Sequence, residues 1–201
     1  MNWIDEIESG ADKLGIGKKE FNYQLFTEEE VKSGTAKDII EHIFEKKALV
    51  KNFQWIDEYD QFIKWAANAN KWLVMRGVKG RGKSILMNMV IPILFYRIGK
   101  VFKAVDIRDV TITNEHFNNL LKRNALGIDE LGREEKYIHM GQRKNFVEEI
   151  VTRFENENKL LVLATNMSSE QFFEFYGDSA YDRVFSKSNT LFLEFTKNSL
   201  R

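Results

Sequence analysis

Three features of this 201-residue chain predict an α/β fold, a parallel sheet with helices on both faces. Apolar runs of strand length alternate with amphipathic helical patterns from residue 71 onward, the pattern of a parallel sheet joined by helical crossovers. Gly77-Val78-Lys79-Gly80-Arg81-Gly82-Lys83-Ser84 is a complete G-x-x-x-x-G-K-[ST] phosphate loop, placed between one such strand and one such helix. About forty-five residues further on, Ala125-Leu126-Gly127-Ile128-Asp129-Glu130 is an apolar strand ending in two carboxylates. In parallel sheets that end of a strand is where ligands bind.

The core elements read in order as strand 72–76, helix 83–98, strand 101–107, helix 114–123, strand 125–129, helix 142–157, strand 159–165, helix 169–176, a short helix near 178–185 and strand 190–195. Pro92, the only proline, falls inside the first helix and should kink or break it near Val90. Ahead of the core, residues 1–70 read as a small, mainly helical extension to a core of residues 71–201. Trp3 to Leu14 forms a short helical pattern. Thr35-Ala36-Lys37-Asp38 resembles a cap and first turn, followed by helical spacing to about Ala48. A second helical pattern runs from about Ile56 to Ala69. With no Pro/Ser-rich linker before Lys71, the extension should pack against the core or continue it.

A chain of this length with 43% hydrophobic residues can bury a sizeable core. It has no run of eighteen apolar residues and an acidic start (Asp5, Glu6), so neither a membrane span nor a signal peptide is expected. With no cysteine there is no disulfide or thiolate metal site, in keeping with a cytoplasmic setting. His42, His116 and His139 lack metal-ligand spacing. The formal charge of zero hides a split. Residues 1–70 carry nine Lys/Arg against fourteen Asp/Glu, and residues 71–201 carry twenty-one against sixteen. Such a split suggests that the two parts meet different partners.

The residue types account for nucleoside triphosphate chemistry. Glycines let successive N–H groups turn into one concavity that suits phosphate oxygens. Lys83 can reach the β- and γ-phosphates of ATP, and the Ser84 hydroxyl can ligate Mg²⁺. Asp129 can hold the Mg²⁺ shell through water, and Glu130 can act as general base on the attacking water. Leu160-Leu161-Val162-Leu163-Ala164-Thr165-Asn166 is a further buried strand ending in a polar pair. Asn166 could contact the γ-phosphate or orient the water; the plainer alternative is a strand-end turn.

The phosphate loop, Ile128-Asp129-Glu130-Leu131-Gly132-Arg133-Glu134, Ala164-Thr165-Asn166-Met167-Ser168 and Tyr181-Asp182-Arg183-Val184 together resemble the DnaC-type helicase loaders and the related IstB-type transposition helpers of the AAA+ class. The resemblance spans about residues 70–195. It implies a P-loop NTPase of AAA+ type: Mg²⁺-dependent ATP hydrolysis, homo-oligomers with ATP at subunit interfaces, single-stranded DNA contact, and an N-terminal segment docking a partner, usually the replicative helicase. By position, Lys83 and Ser84 match the Walker A residues, Asp129 and Glu130 the Walker B pair, and Asn166 the sensor 1 residue. Arg183 matches an arginine finger that reaches a neighbour's γ-phosphate; the alternative is a salt bridge to Asp182 or Glu174. Ser199-Leu200-Arg201 is similar to the family's Gly-x-Ser-x-Arg close, with Lys197 at the glycine's place and a longer spacing. No helical lid is expected after the last strand.

Lys100, Lys103, Arg108, Lys122 and Arg123 could form a phosphate-binding surface for DNA, with Phe102, Phe117 and Trp72 as stacking candidates. Each of these has a bland alternative, a solvated face or the core. Two other functions stay open: a transposition helper acting on a transposase, and a nucleotide-binding adaptor with little turnover.

Overall fold

In the computed structural model, residues 21–51, 53–109, 114–133, 138–139, 142–143, 146–185 and 189–196 are described. The expected Trp3–Leu14 helix and Arg201 lie outside them. Five strands form one sheet in the order β2-β3-β6-β1-β7: β1 (Trp72–Gly77), β2 (Lys103–Asp106), β3 (Ala125–Leu131), β6 (Leu160–Thr165) and β7 (Thr190–Phe195). Every neighbouring pair is parallel. The central strands bury both faces: β6 is buried along its whole length and β3 at all but Glu130. Near-continuous apolar runs are what a sheet covered on both sides requires. Helices cover both faces of this sheet, as the sequence predicts.

Sheet order places the chemistry. β6 lies between β1 and β3, so the chain that leaves its end, at Asn166, emerges between the phosphate loop and the Asp129–Glu130 pair. Leu73 and Val74 pair with Val162 and Leu163, which in turn lie level with Gly127 and Ile128. The register shifts between Ile128 and Leu131, and Glu130 takes a left-handed φ of 59°. That irregularity lies at the carboxylate pair.

The helix after the phosphate loop is broken where Pro92 predicts. It runs as α4 (Lys83–Ile85), a π-helical turn (Leu86–Val90) and α5 (Ile91–Arg97). Proline has no N–H and crowds the carbonyl four residues back, here Asn88. A wide turn relieves the crowding, and the Ile91 N–H donates to the Leu86 carbonyl instead. Helices α6 (Asn114–Leu121), α8 (Ser169–Tyr176) and α9 (Asp178–Phe185) lie where the sequence places them. The predicted 142–157 helix is shorter: α7 spans Phe146–Asn156, and residues from its expected start pair instead as a small hairpin, β4 (Ile138–His139) with β5 (Gln142–Arg143). Strand pairing has taken Gln142 and Arg143 from that helix.

The described residues of the N-terminal extension, 21–51 and 53–70, pack against the core. They contain α1 (Glu28–Ser33), α2 (Thr35–His42) with a π-helical extension (Ile43–Lys47), and α3 (Asp57–Ala67). Thr35, expected as a cap, is the first residue of α2, whose N-cap is Gly34 with no side-chain cap bond; α1 is capped by Thr27, whose hydroxyl accepts from the Glu30 N–H while the Glu30 carboxylate accepts from the Thr27 N–H. Tyr23 and Ala69 exchange two backbone hydrogen bonds of 3.2 and 2.8 Å, closing the segment just before β1. Leu25, Phe26, Ile40, Phe44, Tyr59 and Phe62 belong to the same apolar core as β1 and β6. The charge split has a local use here: Glu30 pairs with Arg97 and Glu58 with Arg81, acid from the extension meeting base from the core.

Candidate functional site

The phosphate loop is shaped by close approaches that admit no side chain. Gly77 has φ 123°, and a Cβ there would fall 2.1 Å from the Phe195 carbonyl oxygen. Gly82 has φ 86°, and a Cβ there would fall 2.5 Å from the Tyr59 hydroxyl and 3.0 Å from the Phe44 ring. Glycine alone fits both constraints. Between them the backbone turns into the start of α4, and the Val78 N–H donates to the Phe195 carbonyl at 2.9 Å. Lys83 is buried, and its ammonium donates to the Gly77 and Val78 carbonyls at 2.7 and 2.8 Å. Burial lowers its pKa, against the pull of Asp129 and Glu130.

Asp129 is 6% exposed and fully engaged: one carboxylate oxygen accepts from the Glu130 N–H at 2.9 Å, the other from the Asn88 amide at 2.9 Å. Asn88 also donates to the Ser84 carbonyl at 3.0 Å, linking the two halves of the site. Glu130 is half-buried and pairs with Arg133 at 2.7 Å. Thr165 anchors the third strand end, its hydroxyl donating to the Leu131 carbonyl at 3.0 Å and accepting from the Met167 N–H at 3.0 Å. Asn166, the next residue, is exposed.

One cavity of about 540 Å³ joins these groups. Lys79, Gly80, Gly82, Lys83 and Ser84 line it together with Asp129, Glu130 and Asn166. The N-terminal segment adds an apolar lining: Phe44, Leu49, Val50, Phe53 and Tyr59. Phe53 stacks on Tyr59 at 5.7 Å and tilts against Phe44 at 4.7 Å. A cleft of this size lined by both charged and aromatic groups has the chemistry to take a nucleotide's phosphates and its base. The donors also suit Mg²⁺, which takes few protein ligands and relies on phosphates and water: Ser84 offers a hydroxyl and Asp129 an oriented carboxylate. Among the described residues no cluster of three His, Asp or Glu could hold a metal by itself.

Some predicted residues lie elsewhere. The Arg81 side chain does not line the cavity; it turns away and pairs with Glu58. Gly77 and Val78 contribute carbonyls to Lys83 rather than lining. Arg183 lies at the opposite edge of the sheet, in a cleft with Lys71, Trp72, Asn158 and Asn189, where β1, β6 and β7 begin. The six-residue β1 separates the two edges by roughly 16 Å. Arg183 pairs neither with Asp182 nor with Glu174 among the contacts observed, but with Glu155 of α7 at 2.9 Å and with the Ser179 carbonyl and hydroxyl at 2.9 and 2.6 Å. The basic group is also divided: Arg108 follows β2 at the nucleotide edge, bound to Asp106, while Lys103 begins β2 and Lys122 and Arg123 precede β3. Trp72, Phe102 and Phe117 are buried in the core and cannot stack on bases.

Sequence reasoning missed Asn88, Arg133 and the aromatic wall. Asn88 had a signal, lying one helical turn after Ser84 on the same face. Arg133, three residues after Glu130, had one as well. Phe44, Phe53 and Tyr59 had none, since nothing local relates them to the loop.

No protein-family model matches the sequence, and no curated protein matches it. Solved structures do. DnaI superposes with a TM-score of 0.53 at 15% identity, covering 83% of each chain. A candidate primosome component from Streptococcus pyogenes serotype M3 superposes at 0.52 and 14% identity, covering 85% of this chain and 82% of its own. The DnaC helicase loader gives 0.49 at 16% identity, over 84% of this chain and 92% of its own. The chain shares its fold with DnaI. The covered share exceeds the span of residues 71–201, so the likeness reaches into residues 1–70. Among the described residues no helix is long and apolar enough to cross a membrane.

Proposed function

We propose that this chain binds and hydrolyses ATP with Mg²⁺ as a helicase loader of the DnaC type. In this reading ATP sits at subunit interfaces of a homo-oligomer, and its state governs contact with a replicative helicase and single-stranded DNA. Residues 1–70 carry partner docking and residues 71–201 the nucleotide chemistry. The observation that supports it is the one cavity lined by Lys83, Ser84, Asp129, Glu130 and Asn166 together with Phe44, Phe53 and Tyr59.

The loop amides and Lys83 bind and orient the phosphates, for which the ammonium exchanges its two carbonyl partners. Ser84 and Asp129, the latter braced by Asn88, would hold the metal, which supplies charge neutralisation between the phosphates. Glu130 takes a proton from the attacking water at its carboxylate, and Asn166 orients that water. Phe44, Phe53 and Tyr59 shield the base end from solvent. Arg183 cannot reach its own chain's phosphates from the far edge; in an assembly it serves a neighbour's site.

Lys83→Ala should abolish or severely weaken binding of a fluorescent ATP analogue. Glu130→Gln should bind it normally yet lose at least about 10²-fold in turnover, because the base alone is removed. Wild-type turnover by Glu130→Gln would overturn the catalytic assignment. The Glu130–Arg133 pair and the left-handed Glu130 backbone favour a second reading, an adaptor that binds nucleotide with little turnover. Saturable binding with no phosphate release, at any protein concentration, would select it.

A further inference from the structure

The phosphate loop is held from outside by the N-terminal segment, through charges that are out of water. Arg81 and Glu58 approach to 3.4 Å with side chains only 3% and 8% exposed. Beside them the Tyr59 hydroxyl donates to the Arg81 carbonyl at 3.1 Å, and the Gly82 backbone rests against Tyr59 and Phe44. Glu58 and Tyr59 are adjacent on α3, so one turn of that helix grips two consecutive loop residues by a side chain, a carbonyl and a close backbone approach. A buried ion pair contributes little net stability but is costly to break from one side, because the remaining charge has no solvent to return to. The pair is therefore suited to fixing one loop geometry rather than to strengthening the fold.

We propose that Glu58 is a positioning residue for nucleotide binding: through Arg81 it sets the curvature of the phosphate loop, and thereby couples α3 to occupancy of the cavity. The inference rests on the ATP reading above. Coupling of this kind is reciprocal. Nucleotide in the cavity steadies α3, and a partner that pulls on the N-terminal segment loosens nucleotide.

The full chain is tested with a fluorescent ATP analogue and Mg²⁺, alongside steady-state hydrolysis. Glu58→Gln, nearly isosteric, should weaken analogue binding and raise KM by about tenfold or more, while kcat at saturation stays within about twofold because Asp129, Glu130 and Asn166 are untouched. Glu58→Gln combined with Arg81→Gln removes both buried charges. That double variant should bind no worse than the weaker single variant, the non-additivity of a coupled pair. Should Glu58→Gln not fold, wild-type hydrogen exchange decides: ATP with Mg²⁺ should slow amide exchange in residues 57–67 as well as in 77–84. Unchanged affinity in a folded Glu58→Gln, additive effects in the double variant, or protection confined to the loop would each overturn the proposal. Failure of the wild-type chain to bind the analogue would instead overturn the ATP reading beneath it.

Discussion

The two edges of the sheet are built from different kinds of polar group. At the edge where strands end, Lys83, Asp129, Glu130 and Asn166 meet around one cavity, each steered by neighbours such as Asn88 and Thr165. At the edge where strands begin, Arg183 is tied to Glu155 and Ser179 in a separate polar cleft. In the proposed ATP reading, the first edge supplies the groups that hold and attack a phosphate, and Lys79 and Arg133 line the same cavity. The second edge carries Arg183 and no phosphate loop. The homo-oligomer reading requires Arg183 of one copy to meet the cavity of another, because one chain's own geometry keeps the two apart.

Breaking the second half should have the largest effect. Arg183→Ala should bind ATP near normally and lose about 10³-fold in turnover, as when such fingers are removed. Mixing it with Lys83→Ala should restore part of the rate, measured as phosphate release. No rescue, with turnover per chain independent of concentration, would leave the two edges unrelated.

Effects confined to the nucleotide edge should be smaller. Phe53→Ala opens the aromatic wall and should weaken ATP affinity by about tenfold, the scale of one base–aromatic contact, while leaving inorganic triphosphate affinity unchanged. Equal losses for both ligands would place the base elsewhere. Arg133→Ala releases Glu130 and should raise basal turnover by up to about fivefold, since partly exposed ion pairs contribute about 1 kcal/mol or less. A fall in rate would mean that Arg133 assists catalysis. Asp106 gives the smallest signal. Its bond to Arg108 holds its carboxyl below the usual range, so it stabilises the fold above the unfolded carboxylate pKa of about 4 and loses that contribution as pH falls. Asp106→Asn should therefore lower Tm slightly at pH 7, and the gap should close in acid.

The sequence was legible where a structure is decided by neighbours in the chain. α8 spans Ser169–Tyr176 as read, closed by a Ser168–Gln171 capping box. The Thr27–Glu30 box of α1 is the T-x-x-E form of that capping box and went unread, while α2 begins at Thr35 behind Gly34 with no side-chain cap. The 142–157 helix lost Gln142 and Arg143 to a hairpin that depends on pairing across a gap, which periodicity along one segment does not register.

The sequence by itself determined the phosphate loop, the carboxylate pair and the strand ends, because amide curvature, ligand spacing and alternation are properties of a few consecutive residues. Only the tertiary structure decided that β6 lies between β1 and β3, that Phe44, Phe53 and Tyr59 wall the cavity, and that Arg81 and Arg183 turn to Glu58 and Glu155. These partners are separated by 23 residues in the first pair and by a whole strand in the second. Which of many carboxylates an arginine meets depends on how the entire apolar core packs, and no local spacing encodes that choice.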